Sequence, residues 1–129
     1  MTKVFVAGGY GRVAAELIKN LVADGHQVIA GSRHPENIIK SEGVTSIKLD
    51  LHSSVDDISH LMEGCSIVYF VAGSQGKDLL QTDAFGAVKT MQAAEKNKIK
   101  RFILLSSFFA LHPEKWSEYE FLQYCKIFR

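Results

Sequence analysis

The chain has 129 residues, 47% of them hydrophobic and 22% charged, with a formal net charge of +1. That length suits one domain, expected over residues 1–129, with enough chain for a real core. The near-neutral balance gives no reason to expect nucleic acid or an acidic membrane as partner, and no apolar run is long enough to span a bilayer. Cys65 and Cys125 match no metal or redox spacing. No metal is expected, a reduced, cytoplasmic setting is the simpler reading, and Cys65 reads as a small core residue.

The N-terminal stretch VFVAGGYGRV, Val4–Val13, is the organising feature. A short apolar strand ends in glycines and passes directly into a helical pattern. This is how a doubly wound α/β fold presents a dinucleotide pyrophosphate to a helix N-terminus. Gly8 stands where the chain must turn sharply, and Gly11 stands at the mouth of the helix, where a side chain would hold the backbone away from a phosphate. Ala14 takes the third position, where a small residue lets helix and strand pack closely. Arg12 either adds charge to this anion site or points into water.

Val13, Ala14, Leu17, Ile18 and Leu21 recur at helical spacing and predict the buried face of the first helix. Gly25 caps its end. Gln27–Ala30 is a second strand, followed by Gly31-Ser32-Arg33-His34-Pro35. NAD-preferring proteins place an acid near this point to hold the ribose hydroxyls. None stands here, and the planar fork of Arg33 suits a 2′-phosphate, which argues for NADP.

A helical or turn segment runs from Pro35 toward Lys40. Val44–Leu49 predicts a third strand, with Asp50 and Leu51 at its carboxyl end, where ligands collect in such sheets. Ser54 and Asp57 form a capping-box pattern, and Ile58, Leu61 and Met62 give the next helix its apolar face. Ser66–Val71 predicts a fourth strand, with Ala72-Gly73-Ser74 at its end. A long helix over Leu79–Lys96 is expected to bury Leu80, Ala84, Val88 and Met91. Phe102–Leu105 predicts a fifth strand, ending in Ser106-Ser107. Strands alternating with helices predict a Rossmann-like parallel sheet covered on both faces, in order 3-2-1-4-5.

With these elements placed, the chain resembles the atypical short-chain dehydrogenase/reductase superfamily. The closer likeness is to its NAD(P)H-binding, NmrA-like branch, which includes the flavin reductase/biliverdin reductase B proteins. The resemblance rests on VFVAGGYGRVA, VIAGSRHPENI, KLDL, VYFVAGS and RFILLSSFFA, in that order, over about Lys3–Leu111. It implies that Gly8 and Gly11, with neighbouring Gly9, Tyr10, Arg12 and Val13, hold the pyrophosphate. Arg33 would face the 2′-phosphate, with Ser32 among the cofactor-binding residues. Asp50 and Leu51 would border the adenine, and Ala72 and Gly73 would approach the adenosine ribose side of the crevice. Ser107, with Ser106 as the alternative, aligns with a serine near the nicotinamide, where it can hydrogen-bond a carbonyl oxygen as hydride arrives.

The chain departs from the family pattern in two ways. It lacks the Tyr-x-x-x-Lys pair: Tyr119 is followed four places on by Gln123, and Tyr124 by Phe128. Family domains also continue with further elements, whereas this chain stops at Arg129 in an aromatic-rich stretch that includes Phe108, Trp116, Tyr119, Phe121 and Tyr124. These aromatics are expected to pack on the sheet edge, form a homodimer contact, or mark a truncated product. The resulting expectation is an NADP(H)-preferring protein of oxidoreductase ancestry, with NAD as the other cofactor, moving hydride to a small carbonyl or flavin-like acceptor. The alternatives are a non-catalytic NADP(H)-binding redox sensor or a remnant without activity.

Overall fold

The computed structural model describes residues 2–71 and 85–104. Five strands, β1 (Lys3–Ala7), β2 (Gln27–Ser32), β3 (Val44–Lys48), β4 (Ile67–Phe70) and β5 (Arg101–Leu104), form one parallel sheet in the order β3-β2-β1-β4-β5. Helices α1 (Arg12–Ala23), α2 (Val55–Leu61) and α3 (Phe85–Lys96) connect them, with a 3-10 turn at Pro35–Asn37. This is the expected Rossmann-like α/β arrangement, and its order reverses between β1 and β4.

Strand β1 lies at the centre because it is apolar on both faces. Val4 and Val6 join Ile18 and Leu21 of α1, with Val28 and Ala30, on one side of the sheet. Phe5 and Ala7 join Ile58 and Met62 beside α2, with Val68, Phe70 and the alanines of α3, on the other. Period-two alternation therefore divides one strand between two cores. Cys65 belongs to the second core, and burial pushes its thiol pKa up, against an opposing effect of Lys3. At the sheet margin, β3 turns Thr45, Ser46 and Lys48 to solvent.

Several boundaries differ from the sequence reading. Strand β2 runs two residues further, because β3 pairs Gly31 with Ile47 and Ser32 with Lys48. Strands β3 and β4 are slightly shorter than expected, and β5 begins one residue earlier, at Arg101. Helix α2 starts as expected, with Ser54 Oγ accepting the Asp57 amide at 3.2 Å. Val13, expected on the buried face of α1, is 54% exposed, because it sits in the first turn, at the open end.

The larger correction concerns α3. Its described part buries Gly86, Ala87, Thr90, Ala93 and Ala94, while Val88 is 48% and Met91 40% exposed. The larger side chains suggested a hydrophobic stripe, but the seam requires small ones. Their size lets α3 approach α2 and the sheet closely, and Thr90 satisfies its buried hydroxyl by donating to Gly86 O at 2.7 Å. Asn97 closes the far end of the seam, donating to Ser59 O and Ser59 Oγ, each at 2.9 Å. Leu79, Leu80 and Ala84 lie outside the described residues.

Lys96 and Asp56 form an ion pair between the exposed sides of α3 and α2, and the ammonium holds the carboxyl below its ordinary pKa. A carboxyl depressed in the folded state stabilises the fold above its unfolded value of 3.8, and that contribution fades as falling pH protonates it. The pair is solvated, so its effect is small. Urea unfolding from about pH 5 to about pH 2 should show a smaller acid-side loss of stability in Lys96→Met than in the unaltered protein. A second expectation concerns Gly31, where an added Cβ would lie 2.9 Å from Leu49 Cβ. Gly31→Ala should lower the unfolding free energy by about 1–3 kcal/mol, measured in the same denaturation series.

Candidate functional site

The candidate site lies at the carboxyl end of the sheet, where β1 turns into α1. Gly8 has φ +91° and Gly11 φ +125°, values that side-chain-bearing residues resist. Gly8 and Gly9 both donate their amides to Gly31 O, each at 2.8 Å. The turn is thereby pinned to the end of β2. A Cβ on Gly9 would come within 2.8 Å of Ala30 Cβ and 3.3 Å of Ile38 Cδ1, so glycine here is a packing requirement.

At Gly11 the situation reverses: among the described residues, an added Cβ would meet nothing within 4 Å. The first bond of α1 runs from Ala15 N to Gly11 O at 2.9 Å. The amides of Arg12, Val13 and Ala14 therefore have no acceptor among the described residues, and no side chain caps the helix. Tyr10, 63% exposed, and Val13, 54% exposed, flank these donors. Ala14 is buried beneath them, as the small third position of the turn requires. A helix of 12 residues thus presents amides without an acceptor among the described residues, together with the positive end of its dipole.

The next strand ends border the same edge. Ser32 closes β2, and its Oγ accepts the His34 amide at 3.1 Å. Arg33 follows, exposed and with no ion-pair partner among the described residues. His34 Nδ1 lies 3.5 Å from Glu36 Oε1. Beyond β3, Asp50 Oδ1 accepts the His52 amide at 2.9 Å, and Asp50 O accepts the Ser53 amide at 3.0 Å. The Asp50 carboxylate therefore shapes its own loop. The Leu51 side chain is buried in the core, so this loop can meet a ligand at Leu51 only through backbone.

Gly8, Gly9, Tyr10, Gly11, Arg12, Val13, Ser32 and Arg33, together with Asp50 and Leu51, thus come from the ends of three adjacent strands. Ala72, Gly73, Ser106 and Ser107 lie outside the described residues, as do Tyr119, Tyr124 and Cys125. Among the described residues, no group of three His, Cys, Asp or Glu side chains could hold a metal ion, and no helix is long and apolar enough to cross a membrane.

Two structural participants escaped the sequence reading. Gly31 supplies the carbonyl that anchors the turn; the signal was a glycine at a strand end, which often marks close backbone approach. Lys89 of α3 donates to Leu51 O at 3.0 Å and Ser53 O at 3.2 Å. Its signal was weaker: a cation beside a stripe of small residues.

Comparison with known proteins agrees with this geometry. A family model described as NAD(P)H-binding matches residues 8–127. The crystal structure of the oxidoreductase ylbE from Lactococcus lactis superposes with a TM-score of 0.87 at 40% identity, over 97% of this chain and 58% of that one. A Bacillus subtilis protein named as an uncharacterized sugar epimerase, YhfK, is 32% identical over 124 residues, covering 90% of this chain and 58% of the relative. An NmrA-like family domain-containing protein of Dictyostelium discoideum is 33% identical over 106 residues, 78% of this chain and 34% of its own length. The chain therefore spans little more than half the length of the two longer matches.

Gly11→Ala should cost about 1–3 kcal/mol of stability from backbone strain, since no atom of the described residues opposes the new methyl group. Urea denaturation measures this directly, and the same methyl placed on the open side of the turn should weaken nucleotide binding further than the lost stability explains.

Proposed function

Because the chain belongs to the NAD(P)H-binding, NmrA-like group of the short-chain dehydrogenase/reductase and epimerase superfamily, we propose that it binds NADP(H) in preference to NAD(H) and serves as an oxidoreductase. The observation that carries this reading is the run of amides at the start of α1 that have no acceptor among the described residues, beside a glycine on which an added Cβ would meet no described atom within 4 Å. Such donors fit a diphosphate and require no side-chain movement to receive it.

The preference for NADP rests on the end of β2. No acid stands at Ser32-Arg33-His34 to bond ribose hydroxyls. Glu36, the next acid along, lies beside His34, and Asp50 is engaged with the His52 amide. Arg33 is exposed and directly follows the end of β2, the edge at which the 2′-phosphate would lie. The guanidinium would bind that phosphate through paired, charge-assisted hydrogen bonds.

The nicotinamide cofactor supplies the hydride when bound. The chain's own work is to hold the diphosphate at the amides of Arg12 and Val13, to read the 2′-phosphate at Arg33, and to leave the carboxyl edge of β1 and β4 for the reacting ring. Ser107 is the proposed hydrogen-bond donor to a substrate carbonyl oxygen, with a small carbonyl compound or flavin-like molecule as acceptor. A second reading, binding without turnover as a redox sensor, is supported by the missing Tyr-x-x-x-Lys spacing at Tyr119 and Tyr124. Steady-state oxidation of NADPH with candidate acceptors separates the two.

Fluorescence titration with NADPH and NADH tests the cofactor assignment. We expect NADPH to bind about ten- to a hundredfold more tightly, as a charge-assisted phosphate contact allows. Arg33→Ala should remove most of that difference while leaving NADH affinity nearly unchanged. Equal affinity of the unaltered protein for both nucleotides would overturn the Arg33 assignment.

A further inference from the structure

We infer that Lys89 is a positioning residue for the adenosine half of the dinucleotide, an inference that rests on the nucleotide-binding reading above. Lys89 is half-buried on α3, and its Nζ donates to Leu51 O at 3.0 Å and Ser53 O at 3.2 Å. Both carbonyls belong to the connection between β3 and α2. That connection leaves the carboxyl end of β3 beside the end of β2, because Ser32 and Lys48 are register partners. In a doubly wound sheet this edge is where the ligand crevice opens.

The contact does more than dock a helix. Helices α2 and α3 are already joined by the Asn97–Ser59 hydrogen bonds, the Lys96–Asp56 pair and the small-residue seam. Lys89 contributes to none of these. It grips the loop backbone that precedes α2 instead.

The loop is held in three ways. The Asp50 carboxylate closes the turn over the His52 amide, the Leu51 side chain anchors it in the core, and the Lys89 ammonium fixes its carbonyls from behind. With both carbonyls turned toward Lys89, the opposite side of the loop backbone remains for the adenosine. Removing the ammonium leaves two partly buried carbonyl oxygens without a donor among the described residues and frees the loop to rotate them toward water. A cation can do this where a shorter polar side chain cannot, because its four-carbon stem packs along the helix while its head reaches across.

The test compares ligands that share or lack the adenosine half. NADPH, 2′,5′-ADP and reduced nicotinamide mononucleotide are titrated into the full 129-residue chain and into Lys89→Met, Lys89→Arg and Lys96→Met. We expect Lys89→Met to weaken NADPH and 2′,5′-ADP alike by about tenfold, with binding of the mononucleotide unchanged. Lys89→Arg, which keeps a cation able to donate to both carbonyls, should recover most of the loss. Lys96→Met should bind all three ligands normally. Should Lys89→Met not fold, Lys89→Gln, a neutral donor of shorter reach, provides the same comparison. Unchanged NADPH affinity in the Lys89 variant overturns the inference. So does an equal loss for the mononucleotide, or an equal loss in Lys96→Met, since either would mark general loosening. An unaltered protein that binds neither NADPH nor NADH would instead overturn the nucleotide reading itself.

Discussion

One carbonyl oxygen ties the candidate site together. Gly31 O accepts the amides of both Gly8 and Gly9, at 2.8 Å each. These bonds attach the turn after β1 to the end of β2. The same residue has no room for a side chain, because Leu49 presses against it from the end of β3. Three strand ends are thus joined through one glycine, by two hydrogen bonds on one side and van der Waals contact on the other. The amides of Gly8 and Gly9 are thus satisfied internally, while the next ones, at the helix start, have no acceptor among the described residues.

The glycines of the turn therefore divide their tasks. Gly8 supplies a backbone angle, Gly9 fits under Ala30 and Ile38, and Gly11 supplies both an angle and an open side. Only the last of these bears directly on a ligand. Proximity of backbone to phosphate is the usual account of such a motif. Here it is joined by a second requirement, close contact between the turn and its neighbouring strand. The donors that face outward come from Arg12 and Val13, whose side chains stand clear of the core.

Strand order and the strand–turn–helix opening were legible in the sequence because both depend on local pattern. Apolar runs such as Val4–Ala7 and Ile67–Phe70 alternate with glycine turns and helices, and right-handed crossovers leave few ways to arrange them. The face of α3 was not legible in this way. Counting large apolar residues favours Val88 and Met91, but a helix pressed between a sheet and another helix buries what fits, namely Gly86, Ala87, Thr90, Ala93 and Ala94. Gly31 and Lys89 were missed for a related reason. Their partners, Gly8 and Gly9 for one and Leu51 and Ser53 for the other, are distant in sequence and are contacted through backbone atoms. Backbone acceptors leave only indirect traces in residue identity, here a glycine at a strand end and a cation beside small residues.

The margin formed by β3 carries a consequence for behaviour in a crowded solution. No described residue pairs with its outer side, which offers main-chain donors and acceptors that a foreign strand could use to extend the sheet. Thr45, Ser46 and Lys48 stand exposed along that strand. An intruding chain would have to strip water from two hydroxyls and an ammonium while gaining little apolar contact in return. This border therefore invites strand addition less than an apolar edge would.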